Sequence, residues 1–230
     1  MQILGIDTSG KVAAAALYDT EQHCIKAQQT LYTRRTHSQV ILPLAERILS
    51  DLEMTWQQVE GFAVAVGPGS YTGLRIGVAA AKAMAFALGV PCAGISTLEG
   101  LAWQGMAHMG LICPVMTARQ TLVYAGIYRS SGAAVTCEQA DGILEQQELA
   151  QQLNALGEPV LLVGDGAESV GNLLEQPRVL PVQQLQNGVG ICLAAAARGA
   201  WIPPEQLLPS YLQPVKAEKD LQELDRKSVV

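Results

Sequence analysis

The chain has 230 residues, 49% hydrophobic and 16% charged, which is enough apolar material for one large domain or two small ones. A formal net charge of -6 and a pI of about 5.1 exclude a surface that attracts phosphate backbones as a whole, so any nucleic-acid role would run through a partner. The longest apolar stretch, residues 78–90, is shorter than the roughly 20 residues of a transmembrane helix, which indicates no association with a membrane.

The N-terminus and the cysteines together indicate a cytoplasmic location. Met1 is followed directly by an apolar strand pattern, without the basic region and cleavage site of a signal peptide. The five cysteines lack C-x-x-C spacing, which favours buried, reduced thiols over a zinc site or a disulfide framework.

The first half of the chain predicts the order strand, strand, strand, helix, strand, glycine loop, helix. Apolar runs bounded by turn residues predict strands at residues 2–7, 12–18, 24–31 and 62–66. A helix follows Thr36, with Pro43 either in its first turn or kinking it, and residues 55–58 match a capping box that opens a short helix. A long Ala-rich helix then follows the loop Gly67-Pro68-Gly69 and ends near Gly89.

The second half repeats this order more loosely. Strands are predicted at residues 111–117, 122–129, about 134–140 and 160–163, with a helix around 145–156 and another after Gly164-Asp165-Gly166. Two such units, joined near residues 105–110, predict a duplicated α/β fold with mixed sheets, helices on the sheet faces and a ligand cleft between the halves. The alternative is one irregular α/β domain.

Asp7 and the loop Gly67-Pro68-Gly69 are the candidates for a nucleotide site. Asp7 ends the first strand, where α/β proteins place nucleotide or metal groups, although a turn-forming carboxylate explains it equally well. The loop leads into a helix whose free amides could hold an anion at Gly67 and Gly69; a tight turn capped by Ser70 or Thr72 is the structural alternative.

Two helices have broad apolar or small-residue faces. On the Ala-rich helix Gly73, Gly77 and Ala81 recur every fourth residue, and the earlier helix has a wide apolar face around Ile41 and Ala45. Such faces permit close approach of another backbone, either within this chain or from a partner. Docking and simple core packing both fit the pattern.

Catalytic groups are scarce in the sequence. His37 opens a helix, but Ile41 stands one turn on, where a helical zinc pair would need its second histidine. No G-x-S-x-G elbow or activated cysteine is recognisable. We therefore predict no catalytic residue and no metal ligand.

Four motifs carry a family resemblance. They are Ile6-Asp7-Thr8-Ser9, Thr36-His37-Ser38-Gln39, the string Gly67-Pro68-Gly69-Ser70-Tyr71-Thr72-Gly73-Leu74-Arg75-Ile76-Gly77, and Gly94-Ile95-Ser96-Thr97-Leu98. In this order they resemble the TsaB (YeaZ) family over roughly the first 100 residues. Later, Pro209-Ser210-Tyr211-Leu212 is similar to the family's closing motif, whereas Thr117-Ala118-Arg119 stands where Asp-Ala-Arg is usual.

The resemblance implies a duplicated actin-like (ASKHA, ribonuclease H-like) fold. We expect an N-terminal lobe at residues 1–105 and a smaller C-terminal lobe at residues 106–230, whose last ~20 residues pack back on the first lobe. Asp7 would then face Thr117 across the cleft instead of a second acidic group, and neither half could build a complete nucleotide-cleaving site.

The resemblance also implies a function. Family members are non-catalytic scaffold subunits required for threonylcarbamoyl transfer to the adenosine next to the anticodon of tRNAs that read codons starting with A. The partners implied are a catalytic TsaD-like sister subunit and a TsaE-like P-loop ATPase, with tRNA reached through the complex and a homodimer formed by the chain alone. No cofactor of its own is implied, but ATP or ADP at the partner interface is compatible with it.

The family docks through the two helices of its N-terminal half. The implied interface residues here are His37, Ile41, Leu42, Ala45, Tyr71, Leu74, Gly77, Ala81 and Met84. The competing functions are an ATPase or sugar kinase of the same fold, which would hydrolyse ATP alone, and a peptidase, for which the sequence offers no nucleophile, base or metal cluster.

Overall fold

The computed structural model describes residues 1–32, 35–179 and 185–212. Its ten strands form two five-stranded sheets. The first sheet contains β1 (Gln2–Asp7), β2 (Val12–Asp19), β3 (Cys24–Tyr32), β4 (Gly61–Gly67) and β5 (Cys92–Ser96). The second contains β6 (Gly110–Thr117), β7 (Leu122–Ser130), β8 (Val135–Glu145), β9 (Val160–Val163) and β10 (Pro177–Val179).

Both sheets have the same topology. The first runs β3-β2-β1-β4-β5 and the second β8-β7-β6-β9-β10, so each central strand has an antiparallel hairpin on one side and parallel strands on the other. The parallel pairs require crossover connections, which the helices supply. The predicted duplication is therefore confirmed, and the single irregular domain is wrong.

Six helices flank the sheets in the described part of the chain: α1 (His37–Asp51), α2 (Tyr71–Leu88), α3 (Thr97–Gln104), α4 (Gln146–Ala155), α5 (Ala167–Gly171) and α6 (Gly188–Arg198). Short 3-10 turns lie at Trp56–Gln58 and Pro204–Gln206. The predicted capping box opens the first of these, where the Thr55 amide donates to Gln58 Oε1 over 2.8 Å. Pro43 lies in the second turn of α1, and the helix continues through it.

The layers are held together by four apolar clusters. α1 and α2 cover one face of the first sheet, and α6 covers the other. α3 lies between the sheets, with Leu98 and Leu101 packed against Ile112 and Leu161 of the second sheet, whose far face is covered by α4 and α5. The resulting order is helices, sheet, helices, sheet, helices.

The sequence pattern missed α6. The prediction places residues 106–230 together, but α6 packs on β1 and β2 of the first sheet, with the Cys192 thiol against the carbonyls of Ile3 and Ala16. After α6 the chain stays on the first half, where Ile202 pairs with Cys92. The chain thus returns to the first half well before its last ~20 residues, most of which lie outside the described part.

Among the described residues, no helix combines the length and the apolar character needed to cross a bilayer.

Candidate functional site

A cleft of about 570 Å³ lies between the two halves, as the duplicated pattern predicts. Its walls come from the turn after β1, the start of α2, the end of β6 and the loop after β9. The lining residues are Ser9, Gly10, Lys11, Pro68, Gly69, Ser70, Tyr71, Leu74, Met116, Thr117, Ala118, Arg119, Tyr124, Asp165, Gln186, Ser210, Tyr211 and Leu212.

Asp7 lies beneath this cleft and does not line it. Its side chain is 1% exposed, and its Oδ1 accepts hydrogen bonds from the Ser9 amide (2.8 Å) and the Ser9 hydroxyl (2.6 Å). Burial raises the pKa of Asp7 to about 6, and the bonds from Ser9 partly oppose that rise. In this geometry Asp7 holds the turn after β1, and the predicted nucleotide contact stays a prediction.

The loop Gly67-Pro68-Gly69 fits tightly between two other segments. Gly67 has φ +131°, and a Cβ there would lie 2.1 Å from the Ser210 carbonyl oxygen. Gly69 has φ +155°, and its Cβ would lie 2.5 Å from the Ser9 carbonyl oxygen. Both positions therefore require glycine on steric and conformational grounds. Ser70 caps α2, as expected, by accepting from the Gly73 amide over 3.2 Å.

The small residues of α2 serve packing within this chain. A Cβ on Gly73 would lie 2.1 Å from the Thr8 carbonyl oxygen, and one on Gly77 would lie 2.4 Å from Thr8 Oγ1. Thr8 Oγ1 in turn donates to the Gly73 carbonyl over 2.7 Å. The glycines thus let α2 approach the turn after β1, which also holds Asp7.

Five of the nine predicted interface residues are covered by the chain itself. Ile41, Ala45, Leu74, Gly77 and Ala81 are buried, because the sheet-facing sides of α1 and α2 form the core there. The wide apolar pattern therefore indicates core packing at these positions. In this structure the five residues are not accessible to a partner.

The other four predicted residues remain accessible to different degrees. Leu42 is 44% exposed and Tyr71 38% exposed, while His37 and Met84 are half-buried. α1 and α2 lie side by side in contact, and α2 adds exposed Ala79, Ala83 and Phe86, the last 71% exposed. We call Leu42 of α1 and the stripe Ala79, Ala83 and Phe86 of α2 the outer face of α1 and α2; Met84 lies on another side of α2 and packs against the core.

Tyr71 joins α2 to a segment that carried no functional prediction. Its ring lies 4.9 Å from that of Tyr211, at 32° between the ring planes, and the Arg75 guanidinium lies 4.6 Å from the Tyr71 centroid. The Ser210 amide donates to the Val66 carbonyl over 2.7 Å, which fixes this segment beside the glycine loop. The sequence signal was the motif at residues 209–212, whose position in space the pattern could not give.

Thr117 occupies the place in the second half that Asp7 has in the first. Its amide donates to Asp165 Oδ1 over 2.9 Å, and Asp165 Oδ2 lies 3.4 Å from Lys11 Nζ. An acidic group does reach this edge of the cleft, but from the loop after β9, and it forms an ion pair between the halves. Among the described residues, no three His, Cys, Asp or Glu side chains are grouped to hold a metal ion.

Two copies of one five-stranded unit around a cleft define a duplicated actin-like (ribonuclease H-like) fold. The family model described as "TsaD: tRNA N6-adenosine threonylcarbamoyltransferase" matches residues 26–172. The chain is 35% identical over 164 residues to the tRNA threonylcarbamoyladenosine biosynthesis protein TsaB of Bacillus subtilis, covering 71% of each chain. The chain belongs to the TsaB (YeaZ) family of tRNA threonylcarbamoyladenosine (t6A) biosynthesis proteins.

Two further comparisons extend over nearly the whole chain. TsaB of Escherichia coli is 27% identical over 231 residues, covering 96% of this chain and 98% of its own. The structure of YeaZ from Pseudomonas aeruginosa superposes with a TM-score of 0.79 at 26% identity, covering 92% of this chain and 99% of the other. The sequence and structural similarity therefore extends to the second half, where few family motifs were recognisable in the sequence.

Proposed function

We propose that this chain is the non-catalytic scaffold subunit of a t6A-forming complex. In that complex a TsaD-like sister subunit transfers the threonylcarbamoyl group to the adenosine next to the anticodon of tRNAs that read codons starting with A. The scaffold binds this subunit and a TsaE-like ATPase in the cytoplasm. Membership of the TsaB family is the observation that carries the proposal.

The outer face of α1 and α2 supports a docking role. It combines two large exposed apolar side chains, Leu42 and Phe86, with small alanines that allow a partner helix to approach. Because Ile41, Ala45 and Ala81 are buried, the proposed interface consists of the exposed side chains of this face instead. The same face would join two copies of the chain when no partner is present.

The cleft supports a non-catalytic role for the chain itself. Asp7 is committed to Ser9, and Asp165 to Lys11 and the Thr117 amide. Asp7 is also 1% exposed and does not line the cleft, so in this geometry it does not contact water or a phosphate there. The proposal also includes ATP or ADP bound at the partner interface. It includes binding of tRNA by the complex rather than by this chain alone.

Reconstituted modification tests this role. The sister TsaD-like and TsaE-like proteins are supplied with threonylcarbamoyl-adenylate, ATP, magnesium and tRNA, with and without this chain, and t6A is measured by mass spectrometry. We expect t6A only when the chain is present, and no ATP hydrolysis by the chain alone. Equal t6A formation without the chain would contradict the scaffold role, and magnesium-dependent ATP turnover by the chain alone would favour the kinase or ATPase alternative.

A further inference from the structure

The two halves share an apolar interface on the side of α3. This helix directly follows β5 of the first sheet, and it packs in one buried cluster with the second sheet, formed by Leu98, Leu101, Ile112, Tyr128 and Leu161. An interface of this apolar kind opposes the relative motion that two halves of a chain otherwise have. Apolar side chains can repack in more than one arrangement, however, so the cluster alone does not fix the angle between the sheets.

Asp141 adds a directional contact at this interface. It lies half-buried in β8 of the second sheet, whereas Ser96 ends β5 of the first sheet. The Ser96 hydroxyl donates to Asp141 Oδ2, and the Tyr128 hydroxyl donates to Oδ1 over 2.6 Å. Each carboxylate oxygen thus has one donor, the first from one half and the second from the other. Such charge-assisted hydrogen bonds are stronger than those between neutral groups.

Ser96 has no other use for its hydroxyl proton. It is the N-cap of α3, and its Oγ accepts from the amides of Leu98 (3.1 Å) and Glu99 (3.3 Å). A hydroxyl has two lone pairs and one proton, so both lone pairs are taken and the proton is left for Asp141. The bond from Ser96 therefore requires one particular position of β8 relative to the start of α3.

The surroundings of Asp141 reinforce this position. A Cβ on Gly126 would lie 2.5 Å from Asp141 Oδ1, so the backbone of β7 passes close to the carboxylate. Burial and the charge of Asp141 raise the pKa of Tyr128, so its hydroxyl keeps its proton and stays a donor. On α3, the neighbouring Glu99 accepts a hydrogen bond from Arg198 Nε over 2.8 Å, which joins the end of α6 to the same helix.

The ion pair at the cleft is a weaker connection between the halves. Lys11 Nζ lies 3.4 Å from Asp165 Oδ2, but the Lys11 side chain is 58% exposed. Exposed ion pairs contribute little, because water screens the charges and the long side chain loses freedom. The bonds of Asp141 are therefore better suited than this ion pair to hold one arrangement of the halves.

We propose that Asp141 is the positioning residue that fixes the angle between the two halves, so that the cleft keeps one width. The apolar cluster around Leu98 and Leu101 provides the cohesion, and the bonds from Ser96 and Tyr128 to Asp141 select one arrangement of it. A partly buried polar group can specify one register between apolar surfaces that otherwise fit in several ways. This inference concerns the conformation of the chain alone and does not depend on the scaffold role.

Distances between two spin labels on the full chain test the proposal. One label is attached to the exposed native Cys24 of β3 and the other to Gln151→Cys on the exposed side of α4, with Cys137→Ser in all samples. Double electron–electron resonance then measures the distance distribution between the halves. We expect one narrow distribution for this labelled parent. Asp141→Ala should broaden it or shift its centre by more than about 2 Å.

Two further variants and one control separate positioning from stability. Tyr128→Phe removes one donor and keeps the ring, so it should broaden the distribution less than Asp141→Ala does. Asp141→Asn keeps the shape and an accepting oxygen and should largely restore the parent distribution. Asp51→Ala makes the same substitution on the exposed side of α1 and should leave the distribution unchanged.

Three results would each overturn the proposal. They are a parent with several distances, an Asp141→Ala variant with the parent distribution, and an Asp51→Ala variant that broadens the distribution as much as Asp141→Ala. Circular dichroism shows whether each variant is folded. If Asp141→Ala does not fold, Tyr128→Phe decides, because an unchanged distribution in that variant would contradict the role of the Asp141 bonds.

Discussion

The buried carboxyl of Asp7 makes the stability of the protein depend on pH in an unusual direction. Its pKa rises with burial from an ordinary 3.8 to about 6, so between these values the folded state binds the proton more tightly than the unfolded chain. The stabilisation from Asp7 is therefore full below pH 4, falls as pH rises through about 6, and is lost above that.

Replacing Asp7 with Asn should remove this dependence. Asn keeps an oxygen for Ser9 and never ionises, so the free energy of unfolding of Asp7→Asn should gain about 2 kcal/mol relative to the parent between pH 4 and pH 7. Urea titrations at several pH values measure the difference, in which the other titrating groups cancel. Parallel pH profiles for the two proteins would contradict the raised pKa.

Gly73 is the second residue whose role can be tested directly. Gly73→Ala forces a Cβ to within 2.1 Å of the Thr8 carbonyl oxygen, which is backbone and cannot rotate away. We expect a loss of roughly 1–2 kcal/mol, because the strain outweighs the higher helix propensity of Ala. Gly142→Ala is the control, since nothing lies within 4 Å of its Cβ. Equal urea midpoints for the two variants would refute close packing at Gly73.

The glycines of α2 also show what sequence reasoning could and could not predict about the site. Their spacing correctly indicates close approach of another backbone, but spacing along a helix does not identify which backbone approaches. The structure assigns Thr8 of the same chain to that role. Likewise Gln186 had no pattern that could mark it, because its position depends on how the second half returns to Gly10.

At the scale of elements, sequence patterns predicted best where one face of an element is buried. The ends of α2 follow from the Ser70 cap and from Gly89, whose φ of +69° ends the helix. α6 was missed because its residues are apolar on nearly all sides, which leaves no period to recognise. Such a pattern is typical of a helix buried between layers.

The outer face of α1 and α2 can be tested with one charge. Leu42→Asp places a carboxylate in the proposed interface and should weaken binding to the TsaD-like subunit at least tenfold, because an unpaired charge would be buried on association. Leu156→Asp is the matched control, since Leu156 beyond α4 has the same 44% exposure as Leu42. Titration calorimetry measures both affinities.

Equal affinities of the two variants for the TsaD-like subunit would show that the docking surface lies elsewhere on the chain. The parent fold should persist in both, because neither side chain belongs to the buried core, and circular dichroism checks this.

At the scale of the whole molecule, the reactivity of the cysteines shows whether the layers of helices and sheets stay packed together. Cys92, Cys113 and Cys192 are buried in β5, β6 and α6, and burial raises their pKa to about 11, 12 and 12 respectively. Cys24 and Cys137 are exposed on the edge strands β3 and β8. Because the thiolate is the reactive form, the three buried thiols should be inert in the folded state.

Ellman's reagent should therefore modify two of the five cysteines in the native protein, and all five in denaturant. Cys137 should react slowly, since burial also raises its pKa. Cys24→Ser and Cys137→Ser together provide the control and should abolish the native reaction. Prompt modification of a third cysteine would show that α6 or the inter-sheet layer opens readily.

The return of α6 to the first sheet has a consequence for synthesis. The ribosome produces residues 1–105 before any of α6, and the face of β1 and β2 that α6 covers stays bare until residue 198 has been made. At translation speeds of roughly 5–20 residues per second this interval is about 5 to 19 s. The half made first is therefore the half completed last, and the nascent chain must be protected from aggregation through that apolar face while its own final helix is still being translated.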